Sequence, residues 1–127
     1  MAAGDGFSAS QRHEIDKAIR DAEILCRIEF SVFVGRADGE PRHYAERLHA
    51  ALTAPDRSVL VLVDPAAKQL EIVTGEAARR VLEDAEVRLA ALTMQTAFAA
   101  GDLVGGITRG VLQLAEHARR PQLRHGG

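Results

Sequence analysis

The chemistry open to this chain rests on aspartates, and Asp38 and Asp64 are the first pair to weigh. Asp64 directly follows the apolar run 59–63, and Asp38 follows Gly35-Arg36-Ala37 after the apolar run that ends at Val34. In open α/β sheets ligands gather beyond the carboxyl ends of parallel strands. At that edge, beside Gly35 and Arg36, the two carboxylates could share a divalent cation or work as an acid/base pair. Carboxylate oxygens are hard ligands, so the cation expected is calcium or magnesium. Turn chemistry is the competing reading, because Asp64 precedes Pro65 and Asp38 lies in a glycine-containing loop. Asp56, Gly75 and Glu76 belong to the opposite sheet edge, where Glu83, Asp84 and Asp102 could complete a second carboxylate cluster. Asp102 directly follows Gly101, and it is placed to cap a helix, an interaction worth about 1 kcal/mol.

Other chemistries find little to use. None of the five histidines (His13, His43, His49, His117 and His125) forms a pair with zinc-helix spacing, and surface positions are expected for them. His43 and His49, six residues apart, fall on different faces of a helix. The single cysteine, Cys26, permits no internal disulfide and reads as a buried, inert thiol. There is no phosphate-cradling glycine loop with a lysine, no nucleophile elbow and no cysteine pair. The absence of a covalent-Cys phosphatase motif and of any Asp-x-Asp excludes a phosphatase built on either nucleophile. The formal net charge of -2 and an aromatic share of 4% argue against a nucleic-acid partner. No apolar run approaches the roughly 20 residues of a membrane span, and residues 1–6 do not form a signal peptide. A cytoplasmic chain is expected.

The elements that must position these residues can be read in order. Ser8 or Ser10 caps a first helix, with Gln11 completing a capping box to Ser8 and Ile15, Ala18, Ile19, Ala22, Leu25 and Cys26 as its stripe. Residues 28–34 form a strand ended by Gly35. Pro41 opens a second helix, whose stripe is Tyr44, Leu48, Ala51 and Leu52. Residues 58–64 lack polar alternation, which predicts a strand covered on both faces. A turn over 64–68 leads to residues 69–74, which alternate and predict a half-exposed antiparallel strand. From Glu76 the spacing predicts one long helix, with Val81, Leu82, Ala85, Leu89, Leu92, Thr96 and Ala99 near one face. Gly101 ends it, and the last helix carries Val104, Ile107, Val111 and Leu114 on one side. Gly106 and Gly110, one turn apart, allow a neighbour to approach closely. The order α-β-α-β-β-α-α, with a right-handed parallel crossover, predicts a three-layer α/β/α sandwich around a small mixed sheet. One domain over 8–119 is expected, between flexible ends at 1–7 and 120–127.

Nearly the whole chain, and its closing motif most strongly, resembles the TPM domain, a family of thylakoid, photosystem-repair and nematode receptor-modulating proteins. The match comprises Ile72-Val-Thr-Gly75, Leu82-Glu-Asp-Ala85 and Phe98-Ala-Ala-Gly-Asp-Leu-Val-Gly-Gly-Ile-Thr-Arg-Gly-Val-Leu-Gln-Leu114. It singles out Gly75, Asp84, Gly101, Asp102, Gly106 and Gly110 as motif positions. The glycine-rich turn usual after the third strand in that family is here Val73-Thr-Gly-Glu-Ala-Ala78. The Arg/Ala-rich usage also looks like a short actinobacterial branch of the family. The resemblance implies an assembly or accessory role, or the weak acid phosphatase activity associated with a plant member; relatives are often exported or membrane-anchored. Residues and resemblance together lead to a non-enzymatic module that binds another protein. A weak phosphatase assisted by Mg or Ca, and a small-ligand sensor at the Gly35/Asp64 edge, are the alternatives.

Overall fold

The structure, a computed structural model, describes residues 6–119. Its elements are α1 (Ala9–Cys26), β1 (Glu29–Val34), α2 (Pro41–Ala50), β2 (Ser58–Asp64), β3 (Gln69–Thr74), α3 (Asp84–Ala99) and α4 (Leu103–Arg119). Single 3-10 turns lie at Pro55–Arg57 and Ala78–Arg80. The order matches the sequence reading. The expected tail at 120–127 and residues 1–5 lie outside the described residues. Phe7, expected in the loose N-terminus, packs against the core.

Capping sets the helix starts. Ser8 Oγ accepts from the Gln11 backbone N–H at 3.1 Å, and Gln11 Oε1 accepts from that of Ser8 at 2.9 Å. This reciprocal box satisfies two donors that a bare helix end leaves unpaired. Glu40 does similar work at α2, its Oε1 accepting from the His43 N–H at 2.9 Å.

The sheet has the order β1-β2-β3. β1 and β2 run parallel with Val32 opposite Val61, and β3 returns antiparallel with Ile72 opposite Val61. Phe30, Val32, Val34, Val59, Val61, Val63 and Ile72 face one main core with α1, α3 and α4. Leu60, Leu62 and Val73 face a smaller one under α2. The sheet is thus the middle layer of a three-layer sandwich. Every residue of β2 is buried, as its unbroken apolar run requires. β3 departs from simple alternation, because Ile72 and Val73 are both buried, one in each core.

The largest difference from the sequence reading concerns α3. The helix starts at Asp84, not Glu76, and its buried residues are Ala90, Met94 and Ala97. Ala85, Leu89, Leu92, Thr96 and Ala99, expected near one face, do share one, and all five are exposed. The reason lies across the interface in α4. A Cβ built at Gly110 would stand 2.2 Å from Met94 Cε, and one at Gly106 would stand 2.6 Å from Phe98 Cε1. Backbones this close admit only small or flexible side chains between them. Close packing therefore selects the Ala/Met face and turns the two leucines outward.

Candidate functional site

Asp64 is 4% exposed at the end of β2. Its Oδ2 accepts from the Ala37 N–H at 3.1 Å and its Oδ1 from the Ala67 N–H at 3.2 Å. One carboxylate so ties the loop after β1 to the hairpin turn after β2. The chain beside Asp38 is brought onto Asp64, as the shared-edge reading requires, while the Asp38 side chain is exposed. The two Asp64 oxygens hold backbone donors, which is the turn role that Asp favours.

The second cluster does not assemble. Asp56, Gly75 and Glu76 do meet at one edge, where the Gly75 N–H donates to Ser58 O at 2.9 Å and the Ala77 N–H to Asp56 O at 3.0 Å. Asp84 begins α3 near that edge, but Asp102 follows its far end. A helix of 16 residues is about 24 Å long, so α3 holds the two carboxylates apart. Glu83 is the N-cap residue of α3, its N–H donating to Glu86 Oε1 at 3.0 Å. Asp102 Oδ1 accepts from the Gly105 N–H at 2.9 Å, the geometry of a helix cap, and Arg109 Nη2 lies 3.4 Å from its Oδ2. Gly101 takes φ +84 in the turn before it, where the Asp102 N–H reaches back to Ala97 O at 2.9 Å. Among the described residues, no group of three or more His, Cys, Asp or Glu side chains is arranged to hold a metal ion.

The Asp64 end nevertheless has a site of its own. A cavity of about 530 Å³ opens between the β2–β3 turn and the α3–α4 break. Val63, Leu70, Phe98 and Leu103 give it apolar walls, and Lys68, Gln69 and Gln95 add polar groups. The sequence reading set Asp64 at one edge and Asp102, which follows Gly101, near the other. The antiparallel return of β3 and the length of α3 bring Asp64 and Gly101 together.

From that cavity an apolar stripe climbs the outer surface of α3. Ala85, Leu89, Leu92, Thr96 and Ala99 repeat at alternating steps of four and three, the a/d spacing of a helix that packs on another helix. Leu89 is 52% exposed and Leu92 59%. Residues 87–101 contain a single charge, Arg88. Ala99 belongs to both stripe and cavity.

Two further groups depart from expectation. His49 is buried at 9% exposure, with Nε2 at 3.0 Å from Ser58 O, where a surface position was expected. The sequence signal was present, since His49 lies one residue from Leu48 in the apolar stripe of α2. Cys26 is half-buried, and its Sγ–H donates to Ala22 O at 3.2 Å. Burial pushes the thiol above its ordinary value of 9.0; the backbone N–H of Ile28 opposes that shift and the Glu23 charge adds to it.

These features define a small α/β sandwich domain with an end cavity and an outward apolar helix stripe. The chain belongs to the family described as "Domain of unknown function (DUF5130)", which matches residues 2–115. It is 24% identical over 101 residues to an uncharacterised protein of Mycobacterium tuberculosis, matched in two strains. That alignment covers 80% of this chain but 60% of the relative, so the chain spans less than two thirds of the curated proteins it matches. Among solved structures it is similar to the BA42 protein of the psychrophilic bacterium Bizionia argentinensis, with a TM-score of 0.80 and 19% identity over 89% of this chain and 81% of that one. The N-terminal domain of cg2496 from Corynebacterium glutamicum gives a TM-score of 0.76 at 19% identity, over 92% of this chain and 77% of that one. At such identities the likeness shows the fold. No helix among the described residues is long and apolar enough to cross a membrane.

Proposed function

We propose that this chain is a non-enzymatic protein-binding or assembly module of the TPM type, with the outward stripe of α3 as its docking face. The observation that carries the reading is the exposure of Leu89 and Leu92, two of the three large hydrophobic residues left exposed among the described residues. Contiguous exposed apolar surface marks interaction sites, and completing the burial of each leucine would contribute about 1 kcal/mol. The motif positions support this reading. Gly101, Asp102, Gly106 and Gly110 build the α3–α4 hairpin that presents the stripe, and Asp64 spends both oxygens on backbone donors.

The test compares affinity capture by the wild-type chain and by L89E/L92E, using extracts of the cells that make it. Circular dichroism would verify that both are folded. The reading expects a partner retained by the wild type and lost from the variant. Equal capture by both, or hydrolysis of phosphate esters with Mg or Ca that D64N abolishes, would contradict it. The cavity favours one second reading, a small-ligand sensor at the Asp64 end, because its volume and mixed lining suit a small organic molecule. A ligand there would raise the melting temperature of the wild type and not of A99W, which fills the cavity.

A further inference from the structure

The cavity between the β2–β3 turn and the α3–α4 break has apolar walls and one unpaired charge, Lys68. We infer that it binds a small amphipathic carboxylate, a short alkyl chain or single ring with one anionic head. The inference rests on the small-ligand reading of that cavity.

The walls define the body of the ligand. Val63 and Leu70 stand opposite one another in the β2–β3 register, on the main-core face of the sheet. Phe98 lies in the last turn of α3, and Leu103 is the first residue of α4. Leu70, Phe98 and Leu103 are only partly buried, so they leave apolar surface that a ligand would cover. A volume of about 530 Å³ suits a single small organic molecule.

Charge defines the head. Asp64 and Lys68 are the two charged residues of the lining, and they differ in what already holds them. Asp64 lies two residues beyond Leu62, so its side chain turns with Leu62 toward the α2 side of the sheet. Both its oxygens accept from backbone N–H groups, those of Ala37 and Ala67. Asp102, which follows Gly101 of the lining, is paired with Arg109. Lys68 has no ion-pair partner among the described residues.

The backbone of Lys68 is a second, independent sign. It takes φ +55, a left-handed conformation that strains a lysine and that short hairpin turns ordinarily give to glycine. Strain of this kind gathers at ligand-binding positions. The unpaired ammonium selects an anion over a cation or a neutral molecule. Gln95 lines the same cavity and offers an amide N–H to the second carboxylate oxygen. A phosphate dianion would ask for more positive charge than this lining holds.

Amide NMR titration of the full chain with octanoate at pH 7 tests the assignment, with octanol, octylamine and acetate as comparisons. Octanoate should shift the amides of Leu70, Gly101 and Leu103. Acetate, which lacks the apolar body, should leave them in place. Octanol and octylamine should bind at least roughly fivefold more weakly. Added salt should weaken octanoate and not octanol, because an ion pair at an open rim is screened. K68G removes the ammonium and the strain together. It should melt within a few degrees of the wild type, lose roughly fivefold in octanoate affinity and keep its affinity for octanol. A99W, which fills the cavity, should bind neither.

Octanol binding as tightly as octanoate, with K68G indifferent, would overturn the carboxylate and leave the small-ligand reading standing. Octylamine binding best would do the same and move the polar anchor to Asp64. Octanoate bound equally well by A99W would overturn the site. A folded chain that responds to none of the four probes would overturn both readings.

Discussion

At Gly75 an added Cβ would lie 2.0 Å from the carbonyl oxygen of Pro55 and 2.4 Å from that of Asp56, both backbone atoms. At Gly110 it would meet the Met94 side chain instead, Cε at 2.2 Å and Cγ at 2.4 Å. The first obstacle cannot turn aside; the second can. G110A should therefore cost about 1–3 kcal/mol, and G75A more, in urea unfolding. The opposite ranking would show that Met94 cannot give way between α3 and α4. M94A should recover part of the loss in G110A, since it removes the atoms the new methyl group meets. Asp102 separates capping from cation binding. D102A should lose about 1 kcal/mol and D102S should keep most of it, because a serine caps nearly as well. A cation ligand would not be replaced by serine, and a calcium- or magnesium-dependent melting shift lost equally in both variants would favour that role. For Cys26 the sign follows from its raised thiol. The fold favours the protonated form, so this contribution is full below the ordinary value of 9.0 and is lost as pH rises through the higher folded value. C26S should flatten the fall in stability at high pH. An unchanged slope would contradict the assignment.

Among the elements, β2 and α4 were fully legible. An unbroken run such as 58–64 suits only a strand covered on both sides, and Ile107, Val111 and Leu114 are buried together as their spacing requires. The two ends of α3 were only half legible. Gly101 marked its end correctly, but Leu82 keeps the helical period across the break at 81–83 and so conceals it. Glu83 with Glu86 three residues on was the readable sign of a fresh start, since the second carboxylate returns to the first residue's N–H. Spacing puts the α3 stripe on one face without saying which way that face turns, and the reason is physical. Hydropathy ranks Leu89 and Leu92 above Ala90 and Ala97, whereas burial was decided by how closely α4 approaches. Periodicity finds every face that can pack on something. It does not say whether the partner lies in the same chain. One consequence belongs to this scale: A90L or A97L, although more hydrophobic, should destabilise by about 1–3 kcal/mol through overpacking against α4. A gain in thermal stability from either would contradict the close approach.

At the level of the whole molecule, the three layers divide the work. α2 covers one sheet face; on the other, α1 lies along β1, α3 along β3, and α4 packs against both helices, which leaves α3 a second apolar face to spare. The candidate site needed this full arrangement. Asp64 and Gly101 were both visible in the sequence, yet only the return of β3 and the 16-residue span of α3 place them around one cavity. The central claim is that the leucine stripe of α3 faces outward and is free to dock. Thermal melts of L89E/L92E and of M94E test it most directly. The double variant should melt within a few degrees of the wild type, because exposed sites tolerate charge. M94E should unfold or melt far lower, because it would place a carboxylate at a site with no solvent exposure. A collapse of L89E/L92E beside a stable M94E would contradict the account.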